Sequence, residues 1–315
     1  MRIKKTYLYL GIALLLIVFI STIIYLSISS ISGNGKSSKW SIDKNSRLVY
    51  QSNRGKPVYE LNDFEQADSL IVQRINYQSR DAKISGYLVT PKMKSEKSGK
   101  LPAVILLPGA GVTKESEITL AKEISKMGFV VLTIDARSTG ESSGIMYSVK
   151  QDYSNYAQGI EPAMHKNIYD ALVAFDILSE IPSVDRKSII IAGESMGGRT
   201  AIIAAGIEKK IKGVIGISTS GYNFGNIPDE SQRKFLNSID PDNYLPSIPP
   251  RKLFLIHNQN DKTIPPQFAQ ITFQKAIEPK KFYMINDSEC NHGYCESMKE
   301  DLKRASESII GKDKD

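Results

Sequence analysis

Apolar residues along the chain fall into two alternating patterns, and their order predicts an α/β domain. Residues 69–78 and 83–90 alternate apolar with polar, the second stretch ending at Pro91, as in an early antiparallel strand pair. Residues 103–107 (AVILL), 129–134 (FVVLTI), 188–192 (SIIIA), 212–217 (KGVIGI) and 253–257 (LFLIH) are continuously apolar. Such runs suit strands buried on both faces. Residues 281–285 make the last predicted strand. Helical spacing appears at 114–127, stopped by Gly128, and again after Pro162, where Ile168, Ala171, Leu172, Phe175 and Leu178 share a face until Pro182. Further helices are predicted from Met196, at 267–276 and at 294–310. Eight strands alternating with helices imply a mainly parallel eight-stranded sheet with helices on both faces, spanning residues 47–311. Chemistry in such sheets gathers at the loops beyond the carboxyl ends of the strands.

The amino-terminal segment breaks this rhythm. No charged residue lies between Lys5 and Lys36, and residues 7–28 (YLYLGIALLLIVFISTIIYLSI) are apolar for long enough to cross a hydrocarbon core of about 30 Å. The alternative, a cleaved signal peptide, has a shorter apolar core and a small-x-small exit, for which Ser27-Ile28-Ser29 is a poor match. Residues 7–28 are therefore expected to be a transmembrane anchor. Arg2, Lys4 and Lys5 keep residues 1–6 cytoplasmic by the positive-inside rule, which puts the remainder on the extracytoplasmic side of the cell membrane. Residues 29–46, rich in Ser, Gly, Asn and Lys, read as a linker.

Composition narrows the function classes. The 41 Lys and Arg against 34 Asp and Glu give a net charge of +7, but three of those cations belong to the amino-terminal tail and the others are scattered. No basic stripe interleaved with aromatics appears, so nucleic acid is not an expected partner. Two cysteines in 315 residues are too few for a disulfide scaffold or a four-ligand structural zinc site, and no cofactor or metal is expected.

Gly193-Glu194-Ser195-Met196-Gly197 directly follows the apolar run at 188–192 and directly precedes the helix-forming MGGRTAIIAA. A G-x-S-x-G between strand and helix is the context of a nucleophile elbow, a sharp turn that exposes the serine hydroxyl. A second match, Gly140-Glu141-Ser142-Ser143-Gly144, lies well past its strand, with no helix entry visible in the residues behind it, so Ser142 is read as a loop residue. A serine hydroxyl needs a neighbouring base, itself oriented by an acid. Of the three histidines, His165 reads as a solvated helix residue and His257 as a structural strand end. His292 lies between the last strand and the last helix and is the candidate base. Asp261, just beyond the strand at 253–257, is the candidate acid, although an Asp in a polar loop is by itself as readily a turn residue. The order Ser195, Asp261, His292 decides for the acid, being that of the α/β-hydrolase arrangement.

From about Leu101 to Ile310 the chain resembles the α/β-hydrolase superfamily, in particular its dienelactone-hydrolase and esterase-like branch. The resemblance is carried by LLPGAG, DARSTGESSG, the run from VDRKSIII into AGESMGGRTA, HNQNDKTIP and NHG. It implies an α/β-hydrolase fold and an oxyanion hole made by the backbone N–H groups of Ala110 and Met196. It also implies a carboxylesterase that works on a small-molecule ester through an acyl-enzyme. Relatives often carry His-Gly where this chain has Pro108-Gly109. Asp135 and Arg137 match a loop that is usually structural. An acyltransferase or peptidase with the same three residues, or a non-catalytic binding protein, are the competing readings. Tyr147, Tyr153 and Tyr156, with Tyr222, Phe224, Phe235 and Tyr244, lie on long connections that either wall the site or pack onto the body. Cys290 and Cys295 bracket His292, and outside the cytoplasm they either form a disulfide that holds the base loop or remain two thiols.

Overall fold

Continuous apolar runs become interior strands, because a strand covered on both faces must be apolar at every position. The computed structural model describes residues 40–66, 69–92 and 99–312, and those from Ile42 onward form one compact unit. Its main sheet contains β1 (Tyr59–Gln66), β2 (Leu70–Ser79), β3 (Ala82–Pro91), β4 (Leu101–Leu107), β5 (Val130–Ile134), β6 (Val184–Glu194), β7 (Gly213–Ile217), β8 (Lys252–Asn258) and β9 (Lys280–Ile285). The spatial order is β9-β8-β7-β6-β4-β5-β3-β2-β1. The six strands from β9 to β5 pair in parallel, and β5, β3, β2 and β1 pair antiparallel. This is the α/β-hydrolase fold with a mostly parallel sheet.

Nine strands, rather than the expected eight, make up this sheet among the described residues. The additional one, β1, reads YELNDFEQ and pairs only with β2. An edge strand with most side chains in water needs no apolar pattern, so nothing in its sequence separates it from a loop.

Helix α1 (Lys114–Lys126) is followed by α2 (Val149–Ala157), α3 (Ala163–Glu180), α4 (Met196–Ile207), α5 (Glu230–Ile239), α6 (Pro266–Lys275) and α7 (Lys299–Ile310). On one face, Leu120 and Ile124 of α1 and Leu302 and Ile309 of α7 share a core with Leu106, Ile190, Ile215 and Phe254 of the strands. On the other, α3 and α4 pack on β6 and on each other. Helix α2 corrects the reading of residues 145–156 as lacking a helix entry. Ser148 caps it, its hydroxyl accepting from Gln151 N at 3.2 Å, and its apolar side is short because Tyr153 and Tyr156 need only cover Phe235 of α5. Phe235 and Tyr244 are fully buried, so these aromatics pack the connections onto the body, whereas Tyr222 borders a cleft described below.

The expected anchor at residues 7–28, the tail 1–6 and the first part of the linker lie outside the described residues. The described end of that linker includes a strand, Trp40–Ile42. Among the described residues no helix is long and apolar enough to cross a membrane.

Candidate active site

Ser195 occupies the turn between β6 and α4 with φ 49° and ψ −112°. A non-glycine residue in this region is strained by about 1–3 kcal/mol, and such strain persists only where the surroundings impose it. Here two hydrogen bonds hold it. The Ser195 amide donates to Ile217 O of β7 at 2.9 Å, and the Thr219 hydroxyl donates to Ser195 O at 2.7 Å. The flanking glycines let the turn close. A Cβ at Gly197 would lie 2.2 Å from Leu107 O, and one at Gly193 would lie 2.4 Å from the Gly197 backbone. Spacing in G-x-S-x-G is therefore a packing requirement at this position.

The loop after β4 passes beside the serine: a Cβ at Gly109 would be 3.7 Å from Ser195 Cβ. Ala110 follows it, exposed. Met196 is the first residue of α4, so its N–H has no acceptor within the helix. Both candidate oxyanion donors thus belong to segments that meet at Ser195.

Asp261 and His292 come from adjacent loops, after β8 and β9. His292 Nδ1 lies 2.8 Å from Asp261 Oδ2, with the carboxylate buried and the imidazole partly exposed. Asp261 Oδ1 accepts from Thr263 N and Ile264 N, each at 2.9 Å, which fixes the carboxylate plane. A carboxylate accepts only, so Nδ1 is the donor of this pair, and in the neutral imidazole that leaves the lone pair on Nε2. The His292 loop is held at three further points. Asn258 at the end of β8 donates to Asp287 O at 2.8 Å and also to Cys290 O. The Ser218 hydroxyl donates to Gly293 O at 3.0 Å, and Tyr294 N donates to Glu194 Oε2 at 3.0 Å. Glu194 immediately precedes Ser195, so this last bond ties the histidine loop to the elbow. Cys290 and Cys295 form a disulfide across the same loop, with Cα atoms 6.0 Å apart.

Glu194, itself partly buried, faces a buried acid, Glu117 of α1. Burial and the Glu194 carboxylate push Glu117 far up from the ordinary carboxyl range, and burial raises Glu194 as well. Two carboxyls in one dry site hold a shared proton more easily than two charges. This pair was not anticipated. Glu194 lies inside the elbow motif, but only the fold brings Glu117 to it.

The other candidates take structural roles. Ser142 is buried, its hydroxyl accepting from Ser85 N at 2.9 Å and donating to Asp135 O at 3.1 Å. His257 is buried, with Nε2 2.8 Å from Ile264 O and 3.3 Å from Asp261 Oδ2. His165 is not a solvated helix residue but fully buried, 2.7 Å from the Ser238 hydroxyl, and burial pushes it down to about 3, which keeps it neutral. It lies three residues before Ile168 on the buried face of α3, a spacing that marks it as a core position. Asp135 accepts from Lys114 N and Nζ at 2.6 and 2.9 Å, and Arg137 grips Asp170 through Nε and Nη2 at 2.7 and 2.9 Å. Among the described residues no group of three His, Cys, Asp or Glu side chains is placed to hold a metal ion.

A shallow cleft, open to solvent, lies beside Met196 between α3, α4 and Tyr222.

The family model for acetyl xylan esterase matches residues 49–224, more than half of the 315, and includes the elbow. The chain belongs to the acetyl xylan esterase family. Asp261 and His292 lie beyond the matched stretch. An acetyl esterase of Xylanibacter ruminicola is 25% identical over 225 residues, covering 63% of this chain, and the match spans half of that relative's length. Among solved structures, an acetyl xylan esterase from Paenibacillus sp. R4 superimposes with a TM-score of 0.69 at 19% identity, covering 81% of this chain and 90% of its own. Acetyl xylan esterase 1 from Thermoanaerobacterium follows at 0.63 and 17%, covering 81% and 89%. At these identities the structural likeness speaks for the fold.

Proposed function

We propose that the chain is a carboxylesterase releasing short acyl groups, acetyl among them, from small-molecule esters, with Ser195 as nucleophile, His292 as base and Asp261 as its orienting acid. The observation that carries this reading is the 2.8 Å contact between His292 Nδ1 and the buried Asp261 carboxylate on the loops beside the strained Ser195 turn. In this mechanism His292 Nε2 takes the Ser195 proton as Oγ attacks the ester carbonyl. The N–H groups of Ala110 and Met196 receive the developing oxyanion. The protonated imidazole then gives its proton to the departing alcohol, leaving an acyl-serine. Water enters, loses a proton to His292 and attacks the acyl carbon, and the acid leaves as Ser195 regains its proton. The disulfide and the Asn258, Ser218 and Glu194 contacts keep the base loop in register.

The domain is placed outside the cytoplasm, tethered by residues 7–28, on the length of that apolar run and the cations before it. A two-cysteine loop closed by a disulfide accords with that compartment. The test is hydrolysis of p-nitrophenyl acetate by the full-length chain: Ser195→Ala abolishes it on this reading, and unchanged turnover in that variant overturns it.

A further inference from the structure

The cleft beside Met196 is lined by apolar side chains, among them Met146, Met164, Ile168 and Ile203. Two of its polar residues are engaged within the protein, Asn167 donating to the Thr200 hydroxyl at 3.5 Å and Thr200 donating to Met196 O at 3.1 Å. Arg199 is different. Its Nε donates to Ser220 O at 2.9 Å, and its guanidinium lies 4.0 Å from the centre of the Tyr222 ring, with the Tyr222 hydroxyl near it. Among the described residues no carboxylate pairs with it within 4.0 Å. Elsewhere the half-buried Arg54 pairs with Asp176 and Glu208, and the fully buried Arg137 with Asp170 and Asp81, while Arg251 donates to carbonyls of Ser247, Ile248, Glu208 and Ile211, and Arg47 to Asn243 O and the Ser247 hydroxyl, well away from the cleft lining. Asp240, the acid whose charge acts on Tyr222, accepts through Oδ1 from the amides of Tyr222 and Asp242.

A cation in an apolar cleft without a counter-charge is costly, and an anionic ligand removes that cost. Stacking on Tyr222 fixes the guanidinium plane, and a fixed fork suits the two oxygens of a carboxylate. Arg199 N donates to Ser195 O at 3.2 Å, so the two residues stand at the two ends of the first turn of α4, and Met196 and Arg199 line the same cleft. We infer that Arg199 selects esters bearing a carboxylate a few bonds from the scissile carbonyl. This rests on the hydrolase reading above for its catalytic part, but not for its binding part.

The experiment separates the two. With the full-length Ser195→Ala chain, monomethyl glutarate and dimethyl glutarate are titrated by calorimetry at low and high salt. The monoester binds about 10-fold or more tighter, as a charge-assisted contact requires, and the advantage shrinks with salt. Arg199→Met in the same background erases it, while Arg199→Lys keeps part of it. With Ser195 intact, the ratio of kcat/KM for p-nitrophenyl hemiglutarate to p-nitrophenyl butyrate reports a carboxylate on the acyl side. The ratio for acetoxybenzoate to its methyl ester reports one on the alcohol side. At least one ratio exceeds unity and collapses in Arg199→Met, chiefly through KM. Equal binding of mono- and diester, or an advantage that survives Arg199→Met, overturns the inference even if neutral esters are turned over. Arg199-dependent binding without any turnover overturns the hydrolase reading and leaves the inference standing.

Discussion

Replacing Asp261 by Asn tests the orienting role at constant shape. In the native site Oδ1 accepts two backbone N–H groups, from Thr263 and Ile264, while Oδ2 faces His292 Nδ1. The amide of Asn has one acceptor oxygen and one donor nitrogen. Turning the nitrogen toward the two backbone donors would lose both bonds and set donors against a donor, so the oxygen stays there and the NH₂ faces His292. It then donates to Nδ1, which must give up its proton, and Nε2 becomes the protonated nitrogen. A protonated Nε2 cannot take the Ser195 proton. The expected loss is about 10³–10⁴ in kcat, the size of a wrong-tautomer defect, equivalent to ~4–5.5 kcal/mol of barrier. The assay is p-nitrophenyl acetate turnover, with thermal melting run alongside to show that the variant is folded. A folded Asp261→Asn protein that retains a tenth of wild-type kcat would refute the assignment of the acid.

Three further outcomes follow from the same geometry. Gly197→Ala drives a Cβ into Leu107 O and Pro108 O, both backbone atoms, so soluble yield and melting temperature fall sharply whatever happens to activity. Reducing the Cys290–Cys295 bond, or replacing both residues by Ser, lowers stability by about 2 kcal/mol on the chain-entropy estimate for so short a ring, measured by denaturant unfolding, and lowers kcat by loosening the His292 loop. Glu117 keeps its proton in the native state to a higher pH than in the unfolded chain, because of burial first and Glu194 second. The unfolded chain therefore binds fewer protons as pH rises above the ordinary carboxyl range, and stability declines across that window. Melting temperature recorded against pH should show this decline, with Glu117→Gln flattening it.

Legibility in the sequence followed burial. Interior strands such as AVILL and SIIIA are apolar throughout because both faces are covered, and they emerged at their places, although β6 extends to Val184–Glu194. The elbow was legible because its glycines answer to backbone atoms less than 3 Å away. Asp261 and His292 were found through chain order, and the fold brings them into contact. What escaped notice depends on partners distant in sequence. Strand β1 needs only its hydrogen-bonded neighbour. Helix α2 hides half its apolar face in two tyrosines against Phe235. Asn258 and Glu117 act on the site through contacts 29 or more residues away in the chain, and no local spacing marks them.

The most direct test of the central claim is to treat the full-length chain with a fluorophosphonate and map the adduct by peptide mass spectrometry. The account predicts a single modified serine, Ser195, with labelling strongly slowed in His292→Ala. An adduct on Ser142 instead, or labelling of Ser195 at an unchanged rate without the imidazole, would contradict it.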